Sequence, residues 1–177
     1  LLVTGGSLGA LHVNESMTGA ADALPEGAQV VHLTGRGKDE PVRAAVEAAG
    51  LSDRWHVIDY LTTMEDALAV ADLVVCRSGA GTVAEMEALG LPCIYVPLPI
   101  GNGEQRLNAA DHVAAGGAQL IDDKDFTADF VRRNVFPLLG STRLADMAAA
   151  SQSLGRAGAA RALADLALEQ VKEAGHE

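Results

Sequence analysis

The feature that most constrains the fold of this chain is a repeated alternation of short apolar runs with segments of helical spacing. Six runs predict strands: Leu1–Thr4, Gln29–Thr34, Trp55–Asp59, Leu73–Cys76, Cys93–Val96 and Gln119–Ile121. The segments that predict helices are Ala10–Leu24, Glu40–Ala49, Met64–Ala71, Thr82–Leu89, a stretch ending near Ala115, and Ala159–Val171. Strands that alternate with helices form a parallel sheet covered on both faces. With right-handed crossovers, the sequence predicts an α/β fold with a Rossmann-like, doubly wound, parallel six-stranded sheet.

The net charge and the cysteine content indicate which ligands and binding partners this chain is expected to lack. The 177 residues carry a formal net charge of -11, so we expect no nucleic-acid partner and repulsion from an anionic membrane surface. Cys76 and Cys93 lie inside apolar runs with no second thiol or histidine at metal-ligand spacing. We therefore expect buried reduced thiols, no metal and no cofactor. The chain opens directly on a strand without an initiator Met, and a further N-terminal domain is therefore expected.

Two glycine turns each follow a predicted strand and open a predicted helix, at Gly5–Gly9 and Ser78–Thr82. Free backbone N–H groups at such a turn converge on one spot, which suits a phosphate or a sugar hydroxyl. Glu85 lies one turn into the second helix, where its carboxylate is able to accept hydrogen bonds from a ribose diol. Glu104 and Gln105 begin the next helix and suit either sugar hydroxyls or the helix dipole alone. All these groups follow strand ends, which meet at one edge of a parallel sheet.

Other known motifs fit less well. Gly5–Gly9 matches the G-x-S-x-G nucleophile elbow, but a hydrolase requires several strands before the elbow and a later Asp followed by His. Gly79–Ala84 matches a loose dinucleotide fingerprint, yet no acidic residue is placed for a ribose after the next strand. A P-loop is excluded because no G-K-[ST] occurs. A tight turn without a ligand remains the plainest alternative.

These motifs resemble the C-terminal half of the MurG family. The resemblance rests on Gly5–Ala10 with Asn14, His32–Gly35, Ala71–Leu73, Cys76–Glu85, Glu104–Gln105 and Asn108–Ala109, and the run from Arg77 to Glu85 is its most specific part. MurG enzymes transfer N-acetylglucosamine from UDP-N-acetylglucosamine to lipid I, which gives lipid II for peptidoglycan. Alternatives are another GT-B UDP-sugar transferase, a UDP-N-acetylglucosamine epimerase, and a non-catalytic nucleotide-sugar binding module.

The resemblance implies a domain and its partners. Residues 1–177 would form the donor-binding half of a GT-B enzyme, in which two Rossmann-like domains face each other across a cleft. The N-terminal domain, absent from this sequence, would bind lipid I and make the only membrane contact, on the cytoplasmic face of the bacterial cell membrane. The resemblance also implies that the enzyme inverts the anomeric centre, as MurG-like enzymes do, without a DxD-type metal. We expect no catalytic residue in this fragment, and no turnover by it alone.

The resemblance also assigns site residues. By motif, Gly6, Ser7 and Gly9 would contact the diphosphate, and Leu61, with Met64 nearby, would contact the uracil. Glu85 would bind the ribose, and Glu104 and Gln105 would bind the sugar hydroxyls. The phosphate–sugar region would be lined by Ser78, Ala80, Gly81 and Thr82. The sequence departs from the family where Leu8 and Glu104 replace frequent polar residues, which weakens the assignment of Glu104.

Four other features are expected to be structural. Arg77 is expected to pin neighbouring loops, Trp55 and Tyr60 to pack, and Asp122–Asp125 to form a solvated loop.

Overall fold

One parallel sheet of six strands organises the protein in the computed structural model, which describes residues 1–6, 9–100 and 102–155. The strands are β1 (Leu2–Thr4), β2 (Val30–Leu33), β3 (Trp55–Ile58), β4 (Val74–Cys76), β5 (Cys93–Tyr95) and β6 (Ala118–Leu120). Their spatial order is β3-β2-β1-β4-β5-β6, and every neighbouring pair is parallel. This is the order of a doubly wound sheet, which confirms the predicted fold class.

Helices connect the strands and cover both faces of the sheet. They are α1 (Leu11–Thr18), α2 (Asp39–Ala48), α3 (Met64–Ala69), α4 (Ala80–Leu89), α5 (Glu104–Asn108), α6 (Ala110–Ala114), α7 (Ala128–Phe130) and α8 (Thr142–Leu154). Short 3-10 turns occur at Ala21–Ala23, Asp123–Asp125 and Phe136–Leu138, and a π-helical turn lies at Val131–Val135. The Ala-rich helix predicted at Ala159–Val171 lies outside the described residues.

The core consists of two apolar layers, one on each side of the sheet. Successive side chains of a strand point to opposite faces, so neighbouring residues join different layers. Val3, Val75 and Ile94 pack in one layer with α1, α2 and α8, whereas Leu2 and Cys76 pack in the other with α3 and α4. Burial of both sheet faces explains why the strands are nearly continuous apolar runs rather than alternating ones.

The first helix is shorter than its apolar spacing predicts. It ends at Thr18 rather than at Leu24, and Gly19 forms its C-terminal cap. A Cβ atom on Gly19 would lie 3.0 Å from the Cβ of Ala128, so the chain at this glycine passes close to α7. Close packing against α7 and the weak helix propensity of glycine together end the helix, and a 3-10 turn continues the chain.

Other boundaries differ for local reasons. Helix α4 begins at Ala80 rather than Thr82, because Gly79 caps it and the carbonyl of Gly79 already accepts a hydrogen bond from the Val83 amide. The helix predicted to end near Ala115 is divided at Ala109, which is fully buried. Strand β6 begins one residue earlier than its predicted start at Gln119.

Candidate functional site

The order of the strands creates a crevice at the centre of the sheet. The chain leaves β1 toward β2 on one side and leaves β4 toward β5 on the other, while β1 and β4 are direct neighbours. The connections therefore diverge at the carboxyl ends of these two strands, where open α/β sheets bind their ligands. Both predicted glycine turns start at this point.

A cavity of about 260 Å³ occupies this edge of the sheet. Its walls come from the ends of four strands, from the start of α3 and from the first two turns of α4. The lining residues are Thr4, Gly6, Leu33, Gly35, Asp59, Tyr60, Leu61, Met64, Cys76, Arg77, Thr82, Glu85 and Met86. Five predicted site residues are among them: Gly6, Leu61, Met64, Thr82 and Glu85.

A larger groove lies at the opposite, amino edge of the sheet, where it has a volume of about 990 Å³. Its lining includes Leu1, Gln29 and Pro92, which precede or begin strands, and none of the predicted site residues. Size alone would favour this groove. The smaller cavity is the better candidate because the glycine turns, the Glu85 carboxylate and the Arg77 guanidinium converge there.

The first glycine turn depends on glycine for its shape and its packing. Gly6 and Gly9 have φ angles of 78° and 68°, and the Gly9 amide donates to the Gly6 carbonyl at 2.9 Å. A Cβ atom on Gly9 would lie 2.2 Å from the backbone oxygen of Thr34, so this turn packs directly on the turn after β2. Gly9 supports the cavity but does not line it. Ser7, the predicted diphosphate contact, lies outside the described residues.

The second glycine turn leads into α4 and leaves polar groups available. The Ser78 side chain is fully buried, and its Oγ has no hydrogen-bond partner among the described residues. Ala80, Gly81 and Thr82 form the first turn of α4, where backbone N–H groups lack partners within the helix. A Cβ atom on Gly81 would meet nothing within 4 Å, so the surface of this first turn is open beside Gly81. A helix start of this kind favours an anionic ligand.

The outer wall of the cavity combines apolar and aromatic side chains. Leu61 and Met64 are half-buried and pack against the second apolar layer. Tyr60 is 39% exposed, and the Arg36 guanidinium lies 3.8 Å from the centre of its ring. Tyr60 therefore packs against a charged side chain at the surface rather than in the core. Trp55, in contrast, is buried as expected.

The floor of the cavity is uncharged. Cys76 ends β4 and is buried beside Cys93 of β5, and both are free thiols as expected. A hydrogen bond with Cys93 and burial raise the pKa of the Cys76 thiol well above its ordinary value. No thiolate therefore opposes an anion at this position.

Helix α5 lies beside the second glycine turn but outside the cavity wall. The Asn108 amide donates to the Ser78 carbonyl at 3.1 Å, and this bond joins α5 to the turn. The Gln105 Oε1 accepts a hydrogen bond from the Leu98 amide at 2.9 Å, which leaves the Gln105 NH₂ group available to a ligand. Glu104 is exposed. Neither Glu104 nor Gln105 lines the 260 Å³ cavity.

Arg77 joins three loops at the carboxyl edge. Its Nη1 donates to the carbonyls of Val96 at 3.0 Å and Pro97 at 3.1 Å, and to Asp123 at 2.5 Å. This confirms the expectation that Arg77 pins neighbouring loops. The expectation of a solvated loop at Asp122–Asp125 is wrong in part, because the Asp123 side chain is only 16% exposed and pairs with Arg77. No sequence pattern identifies Asp123 as the partner, since it lies 46 residues from Arg77.

The described residues contain neither a metal-binding cluster nor a membrane-spanning helix. In the described ranges 1–6, 9–100 and 102–155, no group of three or more His, Cys, Asp or Glu is placed to bind a metal ion. Within the same part of the chain, no helix is both long enough and apolar enough to cross a membrane.

The fold and the site define a class: a doubly wound α/β domain with a polar crevice at its topological switch point. The chain belongs to the family described as the glycosyltransferase family 28 C-terminal domain, whose model matches residues 1–163. This family and the MurG resemblance agree.

Similar proteins extend the comparison. A UDP-N-acetylglucosamine–N-acetylmuramyl-(pentapeptide) pyrophosphoryl-undecaprenol N-acetylglucosamine transferase of Paenarthrobacter aurescens is 47% identical over 97% of this chain and 46% of its own length. The enzyme of the same name from Mycolicibacterium smegmatis is 48% identical over 98% of this chain and 45% of its own. The crystal structure of Acinetobacter baumannii MurG matches with a TM-score of 0.83 and 28% identity, over 93% of this chain and 48% of that one. The chain thus spans about half the length of the relatives it matches.

Proposed function

We propose that this chain is the donor-binding domain of a MurG-type N-acetylglucosaminyltransferase, and that it binds UDP-N-acetylglucosamine in the crevice between β1 and β4. The observation that carries the proposal is the meeting of two glycine turns and the Glu85 carboxylate around one cavity. Family membership and relatives at 47% and 48% identity support the choice of nucleotide sugar.

Each part of the donor has a matching part of the site. The uracil lies against Leu61 and Met64, with its polar edge on the backbone of Leu61. The Glu85 carboxylate accepts hydrogen bonds from the ribose hydroxyls, and ionised acceptors form roughly twofold stronger bonds than neutral ones. The diphosphate lies between the turn containing Gly6, Ser7 and Gly9 and the first turn of α4. The sugar extends from Ser78 and Ala80–Thr82 toward Gln105 and, less strongly, Glu104.

The chemistry that these residues support is stabilisation of a leaving group. Displacement at the anomeric carbon breaks its bond to the β-phosphate oxygen, and negative charge grows on UDP. The N-terminal amides of α4 and the glycine turn point at that charge and stabilise it. In this proposal, the base that deprotonates the lipid I hydroxyl, the acceptor site and the membrane contact belong to a further domain, which places the enzyme at the cytoplasmic face of the bacterial membrane.

Isothermal titration calorimetry of the 177-residue chain tests the proposal, with UDP, UDP-N-acetylglucosamine and ADP as ligands. We expect both uridine nucleotides to bind and ADP to bind at least about tenfold more weakly, because adenine lacks the hydrogen-bonding edge that uracil is proposed to present to the backbone of Leu61. Equal affinity for ADP, or no binding of any nucleotide, would contradict the proposal.

Product analysis separates transfer from epimerisation. A complete transferase incubated with UDP-N-acetylglucosamine alone should leave the configuration at C2 of the sugar unchanged, whereas an epimerase would invert it. Glu104, the acidic residue on which an epimerase would depend, is exposed and does not line the cavity. Appearance of the C2 epimer would contradict the proposed transfer.

A further inference from the structure

The loops after β4, β5 and β6 are joined by one half-buried ion pair. The side chains of Arg77 and Asp123 are only 14% and 16% exposed, and the same guanidinium nitrogen also binds the carbonyls of Val96 and Pro97. A charge at such a depth requires its partner, since removing one member leaves the other without compensation. Asp123 therefore fixes the position of Arg77, and Arg77 fixes the start of the loop after β5.

The residue after Pro97 connects this fixed loop to Gln105, which is a predicted contact of the sugar. Leu98 follows Pro97 directly, and its amide donates to Gln105 Oε1 at 2.9 Å. A carboxamide whose oxygen is held in this way presents its NH₂ group in one orientation. The path from Asp123 to Gln105 thus consists of the ion pair, the Pro97 carbonyl and the Leu98 amide.

The uridine half of the site meets this path only at Arg77. The 260 Å³ cavity is lined by residues that follow β1 to β4, and by none from the loop after β5. Asp123 is also absent from its wall, although Arg77 is present. A change at Asp123 therefore separates the two halves of the site better than a change at Arg77.

From this geometry we infer that Asp123 is a positioning residue, which acts through Arg77 and Leu98 to orient the Gln105 carboxamide for the sugar of the donor. The inference rests on the proposed function, because it takes the sugar to be bound beside α5. It assigns Asp123 no contact with the ligand. Its effect should appear only when the ligand carries the sugar.

Calorimetry with Asp123→Ala tests the inference. We expect the dissociation constant for UDP-N-acetylglucosamine to rise at least about fivefold while that for UDP changes less than about twofold, a difference typical of coupled neighbours. Asp125→Ala is the matched control: it removes an exposed carboxylate of the same segment and should alter neither constant. Equal weakening of both ligands by Asp123→Ala would overturn the inference, because a general loss of structure has that effect.

A double-mutant cycle tests the path itself. In a Gln105→Ala background, Asp123→Ala should change the dissociation constant for UDP-N-acetylglucosamine by less than about twofold, because the group it orients is gone. Additive effects would overturn the inference. Wild-type protein that does not bind UDP-N-acetylglucosamine would overturn the proposed function, whereas additive effects in a wild type that does bind it would overturn this inference alone.

Leu98→Pro provides a second test that keeps both members of the ion pair in the chain. Proline removes the amide that donates to Gln105, at a residue that is 40% exposed. This variant should reproduce the selective loss for UDP-N-acetylglucosamine even if Asp123→Ala does not fold. An unchanged ratio of the two dissociation constants in Leu98→Pro would contradict the inference.

Discussion

Among single residues, Glu85 makes the most specific proposed contact, because the two oxygens of a carboxylate accept one hydrogen bond from each hydroxyl of a ribose. Glu85→Gln should raise the dissociation constant for UDP about tenfold, since a hydrogen bond to a charged group contributes roughly 1.5 kcal/mol or more. Calorimetry measures the loss, and Glu47→Gln on α2, also exposed, is the charge-matched control.

If Glu85 binds the ribose, the loss of affinity caused by Glu85→Gln should depend on which ribose hydroxyls the ligand carries. 2′-Deoxy-UDP lacks one of the two hydroxyls, so Glu85→Gln should weaken its binding less than it weakens the binding of UDP. An equal loss for both nucleotides would show that Glu85 acts elsewhere than at the ribose.

His32 is a second residue with a measurable effect, which is on the pH dependence of the free energy of unfolding. Trp55 Nε1–H donates to His32 Nδ1 at 3.3 Å, so the ring proton is on Nε2, where it donates to Asn14 Oδ1 at 3.0 Å. The Asn14 amide then donates to the Thr34 carbonyl at 3.0 Å. Burial lowers the pKa of His32 from 6.5 to about 3. The folded protein therefore keeps this ring neutral.

The sign of the pH effect follows from that difference. Below about pH 6.5 the unfolded chain gains a proton that the folded chain does not, so His32 lowers the free energy of unfolding as the pH falls, until the folded ring itself protonates near 3. Between about pH 6.5 and pH 5 the wild type should lose about 1.6 kcal/mol more than His32→Gln. Urea denaturation at both pH values measures this, and equal losses would refute it.

At the scale of elements, the packing of the two turns after β1 and β2 shapes the crevice. Gly9 has a φ angle of 68° and lies where a Cβ atom would come within 2.2 Å of the Thr34 backbone oxygen. The Asn14 side chain binds that same oxygen, so α1 and both turns form one packed unit. A backbone oxygen cannot move away from an added Cβ atom as easily as the end of a flexible side chain can.

Gly9→Ala should therefore reduce the free energy of unfolding by at least about 2 kcal/mol, because it adds the cost of a left-handed conformation to a backbone clash. Gly81→Ala, at an open position in the first turn of α4, should be neutral or stabilising by up to about 1 kcal/mol. Thermal and urea unfolding compare the two. A Gly9→Ala variant as stable as the wild type would show that the turn tolerates a side chain at this position.

At the scale of the whole molecule, the regular part of the fold followed from local pattern. Six apolar runs and the helices between them predicted a doubly wound sheet, and the glycine turns predicted the edge at which the crevice lies. These features depend on short stretches of chain and on the handedness of crossovers, so no long-range contact had to be known.

Contacts between loops could not be predicted in the same way. The pairing of Arg77 with Asp123 and the Arg36–Tyr60 contact join separate crossovers, and their geometry depends on how the sheet twists and the loops pack. The position of Gln105 outside the cavity wall has the same origin. Gly19 ended α1 early because of packing against α7, which helical spacing does not reveal.

The central claim is that a uridine nucleotide sugar binds at the carboxyl edge of the sheet rather than in the larger groove opposite. Titration of ¹⁵N-labelled protein with UDP-N-acetylglucosamine, followed by amide chemical shifts, tests it directly. We expect large shifts for Gly6, Leu61 and Gly81, and none for Gly27 and Leu89, which line the groove at the amino edge. Shifts confined to Gly27, Leu89 and their neighbours would contradict it.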